Sequence, residues 1–174
     1  NEMVVKNGFH LNTGFLSTYE LLHVLTDYGH GDTAWKLMLQ DTYPGWLYQL
    51  KYDATTVWEN WKGMEAGREP KDSMNHYSFG TFAGWLMDRV AGIRVEKGKI
   101  RIQPYPDRQI GYVKASYDSP FGKIKSSWEY EGENCRIKVE IPANAHAKIL
   151  LPDGSCHEAD YGKYEYVIME NKHE

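Results

Sequence analysis

The stretch Ser73-Met-Asn-His-Tyr-Ser-Phe-Gly-Thr-Phe-Ala-Gly-Trp-Leu-Met-Asp-Arg-Val-Ala-Gly92, followed shortly by Lys99-Ile-Arg-Ile-Gln103, holds the change of period that decides the fold. In the first run Tyr77, Phe79, Phe82, Trp85, Leu86 and Val90 cover most of a helical circumference. That predicts one long helix over 73–91, packed on more than one side. Gly80 and Gly84 stand four apart and permit close approach of a neighbouring helix or a ligand. Beyond Gly92 the apolar residues alternate with polar ones, which is the pattern of half-buried strands. A boundary near residue 93 follows, with residues 1–92 helical and residues 93–174 built from strands.

Upstream, Phe15, Leu16, Tyr19, Leu22 and Leu25 recur at three- and four-residue steps and predict a helix that stops at Asp27-Tyr28-Gly29. Asp32 reads as the N-cap of a second helix over 33–40, with Trp35, Leu37 and Met38 facing inward and Pro44 ending the run. A short helix is expected over 45–51. Downstream, strands are expected over 99–103, 111–117, 123–130, 135–141, 147–151 and 164–169. Turn clusters such as Glu131-Gly-Glu-Asn134 and Pro152-Asp-Gly154 separate them. Six strands at this spacing predict an antiparallel β-sandwich.

The chain has 174 residues, enough for one large or two small cores. A net charge of -4 without a basic stripe argues against nucleic acid as partner. No apolar run approaches the roughly 18 residues of a membrane span, so a soluble protein is expected. The chain begins with Asn1 and shows no charged-then-apolar leader, and it reads as an internal or C-terminal piece of something longer. Cys135 and Cys156 lack metal-type spacing; two unpaired thiols or one disulfide both remain open. No compartment follows from them. The histidines show no metal-ligand spacing, and neither a phosphate-binding loop nor a nucleophile elbow is present. No cofactor and no metal are expected.

The chemistry concentrates in Ala54-Thr-Thr-Val-Trp-Glu-Asn-Trp-Lys-Gly-Met64. Indole faces stack on the C–H faces of sugars, and a carboxylate between them is suited to proton transfer at a glycosidic carbon. Glu59, flanked by Trp58 and Trp61, is therefore a candidate general acid or base. It is equally readable as a solvated loop glutamate, and the two indoles as ordinary core. His76 opens the aromatic stretch, where a neutral imidazole would hydrogen-bond a sugar hydroxyl. A partly buried structural histidine is its alternative. Aromatic residues make up 14% of the chain, including six Trp and thirteen Tyr, and can serve either a core or a sugar cleft.

Four ordered motifs, Asn12-Thr-Gly-Phe-Leu-Ser-Thr18, Leu39-Gln-Asp-Thr-Tyr-Pro-Gly-Trp46, Ala54-Thr-Thr-Val-Trp-Glu-Asn-Trp61 and Asn75-His-Tyr-Ser-Phe-Gly80, resemble those of bacterial α-L-rhamnosidases of glycoside hydrolase family 78. Ile100-Arg-Ile-Gln-Pro104, Ser119-Pro-Phe-Gly122 and Ile141-Pro-Ala-Asn144 extend the resemblance over nearly the whole chain. It implies that residues 1–92 are the last helices of an incomplete (α/α)6 barrel and that residues 93–174 are the C-terminal β-sandwich. It further implies hydrolysis of terminal α-L-rhamnosides with inversion, Glu59 matching the general base and His76 a histidine that contacts the sugar. Trp46, Trp58 and Trp61 are carried over as walls of the substrate site. The family's general acid lies upstream of residue 1, so this piece alone is expected to be inactive. Partners implied are a rhamnose-containing glycoside, the remainder of a longer chain and, through an exposed apolar edge, a second copy.

Departures from the family pattern lie in a shorter loop between Glu59 and His76, in Met74 where an aromatic is common, and in Asn60 where a basic residue is common. These leave the glycone less certain than the hydrolase class. An (α/α)6 hydrolase of different sugar specificity, a non-catalytic carbohydrate-binding module and a purely structural fragment remain as competing readings.

Overall fold

The computed structural model describes residues 1–64 and 72–169. The chain divides into two compact units, Asn1–Trp85 and Leu86–Glu174. The first holds α1 (Glu2–Lys6), α2 (Phe15–Asp27), α3 (Gly31–Met38), a 3-10 turn Leu47–Tyr52, a second 3-10 turn Tyr77–Thr81 and α4 (Phe82–Trp85). The second opens with a π turn, Leu86–Val90, and continues as eight strands.

Helix α2 buries Thr18, Leu22 and Leu25, an i, i+4, i+7 stripe. Leu16, expected inside, is 92% exposed, and Tyr19 is exposed as well, because both lie off that stripe. Phe15 leaves the helix face to stack elsewhere, as described below. In α3, Trp35, Leu37 and Met38 are buried as expected. Asp32 is not its N-cap: His30 holds that position, and Asp32 sits in the first turn. A carboxylate there still faces the unpaired N–H groups of the helix start. The Trp35 ring meets Trp85 edge-on at 4.9 Å, and Trp85 Nε1 donates to Thr26 Oγ1 at 2.8 Å.

The single long helix expected over 73–91 is instead three short windings, 3-10, α and π in turn. Phe79, Trp85 and Val90 are all buried. At about 100° per residue, a uniform helix would point successive members of that set more than about 100° apart. The π turn closes with Ala91 N–H donating to Leu86 O at 2.8 Å, five residues back. Gly92 follows at φ +76, and a Cβ there would overlap the backbone of Gln103 and Pro104.

The strands are β1 (Ile93–Glu96), β2 (Lys99–Ile102), β3 (Tyr112–Ser119), β4 (Gly122–Glu131), β5 (Asn134–Ile141), β6 (Ala147–Leu150), β7 (Cys156–Ala159) and β8 (Gly162–Met169). They form two four-stranded sheets, ordered β1-β2-β6-β7 and β3-β4-β5-β8. All six expected strands are present. The edge strands β1 and β7 are additional, and β7 is hard to see in sequence because only Ala159 of its four residues is buried. Pairing is antiparallel except between β2 and β6, which run parallel.

The alternation on β4 and β5 puts Ile124, Ser126, Trp128, Ile137, Val139 and Ile141 inside. Ser126 Oγ donates to Ala91 O at 2.6 Å and Trp128 Nε1 to Val90 O at 2.8 Å, so the π turn is satisfied from β4. Cys135 is buried on β5, Cys156 is exposed on β7, and the two thiols are not joined.

At the end of the first sheet, His146 Nδ1 meets Asp160 and its Nε2 meets Glu158, each at 2.9 Å. Bonding first to Asp160 and then to Glu158 raises the imidazole pKa above its ordinary value of about 6.5. A folded-state pKa above the unfolded one stabilises the fold fully below the unfolded value, and the contribution disappears as pH rises through the folded value. Comparing thermal midpoints of the parent and His146→Gln across pH is expected to show a deficit in the variant at mildly acidic pH that closes under alkaline conditions. The deficit is small because the ring is 60% exposed.

Candidate functional site

Two segments of the first unit lie side by side in opposite directions. Thr56 Oγ1 donates to Met74 O, His76 N–H to Val57 O at 2.8 Å, Glu59 N–H to Ser73 O at 2.9 Å, and Asn60 Nδ2 to Asp72 Oδ2 at 3.0 Å. This ladder brings Glu59 and His76, distant in sequence, onto neighbouring backbone. The shortened loop between them falls largely on residues 65–71, outside the described residues.

Glu59 is half-buried and held twice by Ser73. Its own N–H donates to the Ser73 carbonyl, and Ser73 N–H donates back to Glu59 Oε2 at 3.0 Å. The reciprocal pair fixes the carboxylate's orientation and occupies one oxygen. Among the described residues no bond engages Oε1, which leaves it able to accept from water or a hydroxyl.

His76 caps the turn Tyr77–Thr81 through its own side chain: Nδ1 accepts from Ser78 N–H at 3.3 Å. A backbone N–H can only donate, so Nδ1 must carry the lone pair and the neutral ring its proton on Nε2. Two aromatic rings lie nearly parallel to the imidazole. Phe15 stacks on it at 4.9 Å and 18°, and Tyr77 at 5.3 Å and 11°. The ring plane is thereby fixed, and with it the direction in which Nε2–H points.

The three indoles were expected as sugar-stacking walls, and here the structure corrects the sequence reading. Trp46, Trp58 and Trp61 are only 5%, 2% and 9% exposed. Trp61 stacks on Phe79 at 3.9 Å and meets Trp46 edge-on at 5.6 Å. Trp46 Nε1 donates to Phe79 O at 2.8 Å, and Trp58 packs near Tyr52 while its backbone N–H donates to Gln49 Oε1 at 3.3 Å. A Cβ on Gly63 would run into the Trp58 ring, so only glycine lets the loop fold over it. Their faces are taken by protein because each indole removes more apolar area from water in the core than a loop rim would allow. They brace the Glu59 loop from behind.

Sequence reasoning missed Ser73, Phe15 and Gln49. Ser73 acts through backbone groups, which every residue type shares, so no side-chain signal marks it. Phe15 reads as part of a helix stripe, and its turn toward His76 is a tertiary event. Among the described residues no group of three or more His, Cys, Asp and Glu is placed to hold a metal ion. No described helix is long and apolar enough to cross a membrane.

Residues 1–90 match the family model described as the bacterial alpha-L-rhamnosidase 6 hairpin glycosidase domain. Residues 98–164 match the bacterial alpha-L-rhamnosidase C-terminal domain. An alpha-L-rhamnosidase of Formosa agariphila is 37% identical over 158 residues, covering 87% of this chain and 17% of that protein. The native alpha-L-rhamnosidase of Aspergillus terreus superposes with a TM-score of 0.91 at 27% identity, over 96% of this chain and 20% of that one. The Streptomyces avermitilis alpha-L-rhamnosidase complexed with L-rhamnose does so with a TM-score of 0.89 at 27% identity, over 96% of this chain and 19% of that one. This chain thus spans about a fifth or less of the relatives it matches. With both family models matched in order along the same chain, it belongs to the bacterial α-L-rhamnosidase family.

Proposed function

We propose that this chain is the C-terminal part of an inverting α-L-rhamnosidase, with residues 1–92 closing an (α/α)6 barrel and residues 93–174, next in sequence, forming a β-sandwich. The observation that carries the reading is the reciprocal Glu59–Ser73 bonding, which orients a carboxylate and leaves its second oxygen unengaged among the described residues. In this role Glu59 takes a proton from the water that attacks the anomeric carbon. His76 donates from Nε2–H to a sugar hydroxyl. Trp46, Trp58 and Trp61 keep the Glu59 loop in place.

Inversion requires a second carboxyl group about 6.5–9.5 Å from the first, across the scissile bond. We assign that general acid to a part of the longer polypeptide that precedes Asn1. The same part would cover Leu16, Tyr19, Val24 and Tyr28, the exposed apolar residues of α2 and its end; a second copy could cover them in the isolated chain. Burial of the indoles weighs against the rival binding-module reading, which needs them as open platforms.

The longer polypeptide, offered a panel of aryl glycosides, is expected to cleave the α-L-rhamnoside and release the sugar with inverted anomeric configuration, followed by proton NMR. The 174-residue chain alone is expected to release none. Cleavage of another glycoside with the rhamnoside untouched would overturn the substrate assignment. Turnover by the 174-residue chain alone would overturn the need for an outside acid.

A further inference from the structure

The reciprocal Glu59–Ser73 pair has a rung on either side of it. On one side His76 N–H donates to Val57 O at 2.8 Å; on the other, Asn60 Nδ2 donates to Asp72 Oδ2 at 3.0 Å. The first rung is backbone and any residue could make it. The second is made by side chains, so it depends on which residues stand at 60 and 72.

Asn60 is engaged at both ends of its amide. Lys62 N–H donates to Asn60 Oδ1 at 2.9 Å. A backbone N–H can only donate, which turns the amide carbonyl toward Lys62 and leaves the NH2 group for Asp72, whose ionised carboxylate only accepts. Gly63 N–H donates to the Asn60 carbonyl at 2.9 Å and closes the turn over 60–63. That turn lies against Trp58, since a Cβ on Gly63 would come within 2.2 Å of the indole. Asn60 thus ties a turn seated on a buried ring to the segment that carries Ser73.

Asparagine suits both tasks at once. Aspartate would still accept from Lys62 N–H, but it would set a second carboxylate against Asp72. Leucine matches the shape and makes neither bond. A lysine or arginine could reach Asp72 but offers no acceptor to Lys62 N–H. Glu59 adjoins Asn60 and Ser73 adjoins Asp72, so this bond holds the backbone on which the reciprocal pair is built. A general base works over a single hydrogen-bond length, and displacement by about 0.5 Å already costs rate.

We propose that Asn60 is a positioning residue for the general base. Bonded to Lys62 N–H and to Asp72, it keeps Glu59 against Ser73, so that Oε2 stays held and Oε1 stays available to the attacking water. The inference rests on the reading of Glu59 as that base.

The test is a reciprocal exchange in the longer polypeptide, read by steady-state kinetics on an aryl α-L-rhamnoside. Asn60→Asp and Asn60→Leu are each expected to lower kcat about tenfold with KM nearly unchanged, because substrate is still bound while the base is misplaced. The leucine variant adds no charge, so a loss there belongs to the missing bond. In Asn60→Asp/Asp72→Asn the amide at position 72 can donate to the carboxylate at position 60, which still accepts from Lys62 N–H. Its kcat is expected to return to within about twofold of the parent. All three variants should melt with the parent, since both positions are exposed. Full kcat in either single variant, or no recovery in the double variant while Glu59→Gln loses kcat, would overturn this proposal and leave Glu59 as the base. Lowered midpoints with kcat of the folded protein unchanged would make the rung merely structural and overturn it too. Full kcat in Glu59→Gln would overturn both readings.

Discussion

Glu59→Gln in the longer polypeptide is expected to lower kcat for an aryl α-L-rhamnoside by about 10²–10⁴-fold, the usual contribution of a positioned general base. Glutamine matches glutamate in size and keeps a carbonyl oxygen for Ser73 N–H, so the loop is expected to hold its shape. What it loses is the basic oxygen that receives the water's proton. KM should therefore change far less than kcat, and the thermal midpoint should stay at the parent value. Steady-state kinetics alongside a melting curve separate these effects. A variant that retains full kcat would remove Glu59 from the chemistry, whereas a lowered midpoint would show that its bonding to Ser73 is mainly structural.

Trp128→Ala is the largest expected loss of stability. The indole is 1% exposed at the centre of β4, and its N–H is the donor that satisfies Val90 O in the π turn. Truncating a buried Trp costs about 3–5 kcal/mol from lost transfer energy and the cavity left behind. The orphaned carbonyl adds about 1–3 kcal/mol where water cannot reach it. Whole domains have only about 5–15 kcal/mol of stability, so most of the strand-built unit's margin would go. Denaturant unfolding followed by near-UV circular dichroism measures this directly. Trp128→Phe keeps much of the volume but not the N–H, and it should fall between the parent and the alanine variant. Equal midpoints for all three proteins would mean that β4 is not the centre of that core.

The strands are largely legible in the sequence because burial alternates along the central ones, β4 and β5. Ile124, Ser126 and Trp128 point inward while Lys125, Ser127 and Glu129 point outward, and period two is a local property of the backbone. α2 was legible for the same reason, although which apolar residues it buries was not. The helix expected over 73–91 differs because the chain winds there as 3-10, α and π in turn, and the spacing of its apolar residues does not signal those changes. Asp32 failed as a cap because capping depends on where the chain enters the helix, and His30 makes that entry.

The sequence by itself determined α2, α3 and six of the strands, the family and the identity of Glu59 and His76 as candidate groups. All of these are carried by residue types at fixed spacing. Only the tertiary structure decided that Trp46, Trp58 and Trp61 are braces and that Ser73 orients Glu59. It alone showed that Phe15 and Tyr77 stack on His76, and that His146 bridges Asp160 and Glu158. Each of these depends on a contact between groups whose separation along the chain carries no periodic signal. Burial, stacking and backbone hydrogen bonds are fixed only when the chain packs against itself.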